Sequence, residues 1–322
     1  MVRSGPLVDR EIMRLVAELY YERDLRQPEV AAVTGFSVSK VSRLLSAARE
    51  QGIVHISVEP AGEDRPAIAT ELADRFGVEV EITPGRERDD AAAARLSGLA
   101  AADRLLPRLP ETGAIGVAAG YTVSALAAAL PRLERPGLTI VPLVGGWDTQ
   151  NPFLDGNQVA RRIADRFGAE ARTLHAPAVV DTPAVRTTLL RDATISATTS
   201  EWTKLALAVV GIGSAPEGQP GYRTVVDRLG EDSREELRRL GAVGDLAGHF
   251  FRADGTFIKE WSERMLAIPV DALRRLGGVF AIAAGRGKAR PILGALRTGL
   301  LDVLVTDRQT AEAVMKLDGQ PA

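Results

Sequence analysis

Apolar positions recur at two periods along the chain, and the change between them divides it. From Val8 to Glu22, Ile12, Leu15, Val16 and Leu19 share one helical face, with Asp9, Arg10, Arg14 and Glu18 elsewhere. The stretch Gln27 to Gly52, QPEVAAVTGFSVSKVSRLLSAAREQG, then repeats the helical period twice around a turn. Pro28 suits a first helical turn, Ala31 is small where a second helix crosses, and Gly35 supplies turn freedom. Ser37 can cap a second helix whose inward positions are Val41, Leu44, Leu45 and Ala48. Ile53 to Val58 alternates like a half-exposed strand, with His55 outward, and Pro60 to Pro66 has the composition of a linker.

Beyond it, short apolar runs alternate with helical stretches. The runs predict strands at Val78 to Ile82, Ala114 to Ala118, Thr139 to Leu143, Arg172 to Leu174, Leu207 to Val210, Val279 to Ala284 and Asp302 to Val305. Helical periods fall between them, over Ala67 to Phe76, Asp89 to Leu106, Val123 to Ala129, Asn157 to Phe167, Pro183 to Leu190, Lys288 to Leu296 and Gln309 to Leu317. This order predicts an α/β fold: a helix-turn-helix domain over 1–59, a linker over 60–66, and a doubly wound, largely parallel domain over 67–322. Ligands of such sheets bind beyond the carboxyl ends of the strands.

Composition narrows the chemistry. The 322 residues include no cysteine, which removes thiolate nucleophiles and thiolate metal sites, and the three histidines are far apart. No metal or cofactor is expected. The N-terminus lacks an apolar signal core and no run approaches the ~20 apolar residues of a membrane helix, so the reading is a soluble, cytoplasmic protein with no membrane partner.

The net charge is −2, so no global basic field announces nucleic acid. The charge is local instead: residues 1–58 hold eight Lys and Arg against seven Asp and Glu, and Ser37 to Arg49 holds three cations and no acid. Ser37, Ser39, Lys40, Ser42 and Arg43 would meet bases and phosphates of double-stranded DNA if this helix entered the major groove. So weak a net charge predicts affinity from several copies together, hence a homo-oligomer. The alternative is a merely solvated helical face.

The turns after the strands are the candidate ligand positions. GVAAGYT at Gly116 to Thr122 leads into a helix and can offer N–H groups and the Thr122 hydroxyl to an anion, although its glycine spacing is not the dinucleotide fingerprint. Gly145 and Gly146 precede Trp147 and Asp148, and Gly211 to Ser214 reads as another tight turn. Asp245 follows the turn at Gly241 and could hold sugar hydroxyls, with a helix cap as the plain alternative. Gly285 to Lys288 opens a helix and aims an ammonium where phosphate or carboxylate would sit, a solvated lysine being the alternative. Trp147, Trp202 and Trp261 read as packing residues, Trp147 being nearest to a candidate turn.

These blocks, with IVPLVGG at 140–146, HAPAVVD at 175–181, VVGIGS at 209–214, GAVGDLAGHFFRADG at 241–255 and AAGRGKARPILGALRTGLLDVLVTD at 283–307, resemble the SorC-type sugar-responsive transcriptional regulators over essentially the whole chain. The resemblance implies an effector domain related in fold to sugar-phosphate isomerases, binding a sugar, polyol or sugar phosphate without converting it, and a dimer or tetramer on operator DNA. It implies an effector pocket using Gly120, Thr122, Asn157, Asp245 and Lys288, to which the turns after the strands add Tyr121, Gly145, Gly146 and Gly213 as effector-binding candidates. Tyr121 stands where the family has a small residue, and Val144 where phosphate-binding relatives carry arginine. Both departures favour an unphosphorylated effector.

Two other classes compete. An isomerase or deaminase with a DNA-binding appendage would use Asp148 or Asp245 as base and Lys288 as anchor, with His249 sharing a face with Asp245 if that stretch is helical. A DNA-binding scaffold would use its second domain only to oligomerise.

Overall fold

The structure, a computed structural model, describes residues 6–54, 66–83, 90–147, 155–215 and 229–319. Its contacts divide the chain into two units between Asp64 and Arg65.

The first unit contains α1 (Pro6–Ala17), a π-helical turn over Glu18–Glu22, α2 (Gln27–Thr34) and α3 (Val38–Glu50). Gly35 takes the left-handed conformation at φ 72° and stops α2. Two residues on, the Ser37 hydroxyl accepts the Lys40 N–H at 3.2 Å and starts α3. The apolar stripes meet in one core, with Met13, Val16, Val30, Ala31, Val41 and Leu45 buried. Ile53 and Val54 do not begin a strand as expected. Their N–H groups donate back to the Ala48 carbonyl at 2.8 and 3.1 Å and close the end of α3. His55 and residues 60–65 lie outside the described residues.

The second unit runs α4 (Ala67–Phe76), β1 (Glu79–Thr83), α5 (Asp90–Leu105), β2 (Gly113–Val117), α6 (Tyr121–Ala129), β3 (Leu138–Pro142), α7 (Gly156–Phe167), β4 (Glu170–Ala171), α8 (Pro183–Arg191) and α9 (Ala193–Thr199). It continues through β5 (Leu205–Ser214), α10 (Glu231–Arg239), β6 (Ala242–Leu246), β7 (His249–Arg252), α11 (Lys259–Ser262), α12 (Val270–Arg275), β8 (Val279–Ile282), α13 (Ala289–Arg297), β9 (Val303–Asp307) and α14 (Arg308–Asp318). Seven strands form a parallel sheet in the order β1-β9-β8-β5-β2-β3-β4. Alternate strand residues face opposite cores: Ala208, Val210, Ala281 and Leu304 pack with α4, α13 and α14, while Leu207, Val209, Phe280 and Val305 pack with α5, α6 and α7. Burial on both faces is why these strands read as continuous apolar runs.

Three expectations change. The strand expected at Arg172–Leu174 is a two-residue contact at Glu170–Ala171. Gly211 to Ser214 is not a turn: Gly211 still pairs parallel with Ile282, and past it Ile212, Gly213 and Ser214 extend β5 to pair antiparallel with Leu246, Asp245 and Gly244. Accordingly Gly241 to Gly255 is a β6–β7 hairpin, not a flexible turn or helix. No helix among the described residues is long and apolar enough to cross a membrane.

Candidate functional site

A cleft opens at the carboxyl ends of β2, β3, β5 and β8, enclosing about 870 Å³ of empty space, part of it open to solvent. It lies at the switch point of the sheet, because the chain leaves β2 toward β3 on one side and β5 toward β8 on the other. Of the predicted residues, Gly120, Tyr121, Thr122, Gly145, Gly213, Asp245 and Lys288 all line it. Gly146 and Asn157 do not.

The first wall is the β2–α6 turn. Gly120, at φ 142°, delivers the chain into α6 so that Tyr121 and Thr122 occupy its first turn. The Thr122 hydroxyl donates to the Ile282 carbonyl at 2.8 Å, which fastens this turn to the end of β8. Tyr121 remains half-exposed at the cleft. On the second wall, only glycine fits at 145, where a Cβ would lie 2.5 Å from the Pro177 carbonyl oxygen. Trp147 lines the cleft while packing, half-buried, against the core around Trp261.

Asp245 comes from β6, buried with 7% of its surface exposed. Its Oδ2 accepts the Gly248 N–H at 3.2 Å, whereas its Oδ1 is buried with no hydrogen-bond partner among the described residues. Burial pushes this carboxyl up to about 6, against the pull of the Lys288 charge and the Gly248 N–H. Asp245 is therefore not a helix cap but a ladder residue whose carboxylate enters the cleft wall.

Lys288 ends a 3₁₀ turn, Arg286–Lys288, that starts at Gly285 with φ 103° and leads into α13. Only 8% exposed, it is not a solvated lysine: its ammonium donates to the Ile212 carbonyl at 2.8 Å. Carboxylate and ammonium thus line one cavity, Lys288 bonded to Ile212 and Asp245 packed on the adjoining Gly213, with the N-terminus of α6 also in the lining. An unmatched carboxylate oxygen with a nearby ammonium is chemistry for hydroxyl donors and acceptors.

Two predicted residues serve the scaffold instead. Asn157 turns its amide to the backbone of one residue, Nδ2 donating to the Leu174 carbonyl at 3.2 Å and Oδ1 accepting the Leu174 N–H at 2.8 Å. Gly146 donates its N–H to the Ala176 carbonyl at 2.7 Å. Sequence reasoning missed Gly248, whose N–H orients Asp245; its φ of 84° is a hairpin signal concealed among neighbouring glycines.

The acid and base pair of the enzyme alternative does not form. His249 sits opposite Leu246 in the β6–β7 ladder, so its side chain leaves the hairpin on the face away from Asp245. There Nε2 meets the Ile268 carbonyl at 2.7 Å and Nδ1 the Ser262 hydroxyl at 2.9 Å. Asp148 lies outside the described residues. Trp202, buried, donates to the Pro142 carbonyl at 2.9 Å, and Trp261 packs edge-on to Phe250 in the core.

In the first unit, Ser37, Ser39, Lys40, Ser42 and Arg43 are all exposed along α3. The Lys40 ammonium lies 3.8 Å from the Phe36 ring centroid, and Arg43 Nε donates to the Ser39 carbonyl at 3.4 Å.

The Sugar-bind family, a sugar-binding domain, matches residues 63–316. The sorbitol operon regulator of Klebsiella pneumoniae is 30% identical over 96% of this chain and 98% of its own. The chain belongs to the SorC-type sugar-binding transcriptional regulators. The crystal structure of that full-length SorC regulator superposes with a TM-score of 0.72 at 28% identity, covering 96% of this chain and 99% of that one. The erythritol catabolism regulatory protein EryD of Brucella abortus is 29% identical over 97% of this chain and 98% of its own. These relatives are transcriptional regulators, not enzymes.

Proposed function

We propose that this SorC-type regulator reads operator DNA through α3 and senses a small polyhydroxy molecule in the cleft of its second unit. Residues 1–59 form the reading domain, 60–66 the linker and 67–322 the sensor, acting in the cytoplasm as a homo-oligomer, dimer or tetramer. On α3, Lys40 and Arg43 contact phosphates or guanine edges, while Ser37, Ser39 and Ser42 offer hydroxyls.

The observation carrying the sensor reading is the buried, unmatched Oδ1 of Asp245 in a cleft that Lys288 also lines. Burying a carboxylate oxygen without a partner is costly, and a ligand hydroxyl supplies the missing donor. Thr122, Tyr121 and the start of α6 hold the far end of the molecule. The cleft favours a free sugar or polyol over its phosphate: Lys288 already serves the Ile212 carbonyl, and Val144 provides no guanidinium to the wall. Effector occupancy shifts the packing between protomers and so the spacing of the α3 helices on their half-sites.

A thermal-shift panel of D-sorbitol, erythritol, ribose, fructose and their phosphates tests the sensor. A ligand at 100 times its Kd adds about 2.7 kcal/mol of stability. The expected result is a shift with at least one unphosphorylated compound, abolished in Asp245→Ala. A response to the phosphates alone would overturn the preference for a free polyol, and no response to any compound would favour a scaffold.

A further inference from the structure

Lys288 reaches the cleft from a turn that is tied to a second element as well as closed on itself. Gly285 stands at φ 103°, and within the turn the Lys288 N–H donates to the Gly285 carbonyl at 2.9 Å and the Ala289 N–H to the Arg286 carbonyl. A further restraint comes from another element. Asp307, the last residue of β9 and nine-tenths buried, accepts the Gly285 N–H on Oδ2 at 2.8 Å. Its other oxygen, Oδ1, caps α14 by accepting the Thr310 N–H at 2.9 Å, and the Thr310 hydroxyl also bonds Oδ2. A second tie joins the same parts: Arg286 Nε donates to the Gln309 side chain at 2.8 Å.

A helix cap needs only one carboxylate oxygen. The second oxygen of Asp307 crosses to a turn 22 residues away in sequence, and that turn places an ammonium in the cleft wall. We infer that Asp307 is a positioning residue of the effector site, fixing the Gly285 turn so that Lys288 stays against the Ile212 carbonyl. Asp307 does not line the cleft itself and acts through Lys288 alone. The inference rests on the effector reading of the cleft for its importance, but not for its test.

Lysine acylation provides a readout that needs no effector. The chain has five lysines, and Lys288 is the one buried; Lys40, Lys204, Lys259 and Lys316 are exposed. Brief treatment of the full-length protein with N-hydroxysuccinimidyl acetate, followed by peptide mass spectrometry, gives each rate within one sample. In the natural protein Lys288 reacts at least about tenfold more slowly than Lys204, because its ammonium is desolvated and bonded. Asp307→Ser keeps a competent cap for α14 but is too short to reach Gly285. The expected result is a native circular dichroism spectrum with Lys288 acetylated within about threefold of the Lys204 rate. An unchanged Lys288 rate in the folded variant overturns the inference. Should Asp307→Ser not fold, Asp307→Asn decides it by the same comparison, since it weakens the same acceptor at nearly constant volume.

The cycle with Lys288→Met separates positioning from general loosening. For a sugar that shifts the Tm of the natural protein, Asp307→Ser lowers affinity in the Lys288 background and adds nothing in the Met background. An equal further loss there contradicts action through Lys288. If Lys288→Met leaves every sugar-induced shift intact while Asp307→Ser still speeds acetylation, the effector role of Lys288 fails and the hold of Asp307 on the turn stands.

Discussion

Oδ1 of Asp245 lies over Gly213 so closely that a Cβ at position 213 would sit 1.7 Å from it. The two residues face each other across the β5–β6 ladder, and the missing side chain is the space the carboxylate occupies. Gly213→Ala therefore evicts the carboxylate. The expected outcome is a folded protein whose effector affinity falls by about tenfold to a hundredfold, as a displaced contact group predicts, with DNA binding in the absence of effector retained. Calorimetric titration of the responding sugar against both proteins checks it.

Asp245 also sets a pH dependence. Burial raises its carboxyl to about 6, with Lys288 and the Gly248 N–H opposing, so ionisation at neutral pH works against the fold. A raised folded pKa contributes stability that is full below the unfolded value near 3.8 and is lost as pH rises through about 6. Asp245→Asn should thus stabilise the free protein by about 3 kcal/mol at pH 7.5, a gain that disappears near pH 4, while abolishing the sugar-induced shift. Urea denaturation at the two pH values measures the difference.

His249, on the other face of the same hairpin, works with the opposite sign. Burial depresses it to about 4, the Ile268 carbonyl resisting and the Arg186 charge reinforcing. Its stability contribution is present above the unfolded value near 6.5 and is lost as pH falls toward 4. His249→Gln keeps a donor for Ile268 without a titrating ring. The loss that the imidazole imposes should be absent, so that between pH 6.5 and 4 the variant loses about 3 kcal/mol less stability than the natural protein, read by urea denaturation at both pH values.

On α3 the cap and the contact groups separate. Ser37→Ala removes the acceptor of the Lys40 N–H and should cost about 1 kcal/mol in the first unit. Lys40→Ala and Arg43→Ala should leave stability within about 0.5 kcal/mol, because both side chains are exposed. Each should lower the salt slope of DNA binding by about 1 per DNA-bound α3, with sugar-induced Tm shifts unchanged. Thermal and urea denaturation read the stabilities and Tm shifts, and fluorescence anisotropy across a salt series reads the slopes.

How far the sequence reveals this molecule follows from what each element buries. The parallel strands are apolar on both faces, so Ile140 to Leu143 or Val279 to Ile282 announce themselves. The helix-turn-helix is legible because Gly35 and Ser37 act locally, one by its backbone and the other by its hydroxyl. The β6–β7 hairpin is not legible: Gly241, Gly244 and Gly248 imitate a loop, and the extra length of β5 exists only because that hairpin pairs with it. Lys288 and Asp245 were recognisable as cleft residues, yet their burial and the unmatched oxygen depend on contacts distant in sequence. Asn157, placed in the pocket by resemblance, illustrates the converse, since its amide bonds the Leu174 backbone and it does not line the cleft.

The central claim is that one unit reads DNA while the other reports a small polyhydroxy molecule to it. Its most direct test is fluorescence anisotropy of the protein on its own upstream promoter fragment, at 50 and 200 mM salt as about the useful range for phosphate contacts, with and without the sugar panel. The account predicts binding that weakens steeply with salt, and a sugar-induced change in affinity that Asp245→Ala removes while Lys40→Ala weakens binding throughout. Salt-insensitive or absent binding under every condition, from a folded and oligomeric protein, would contradict it.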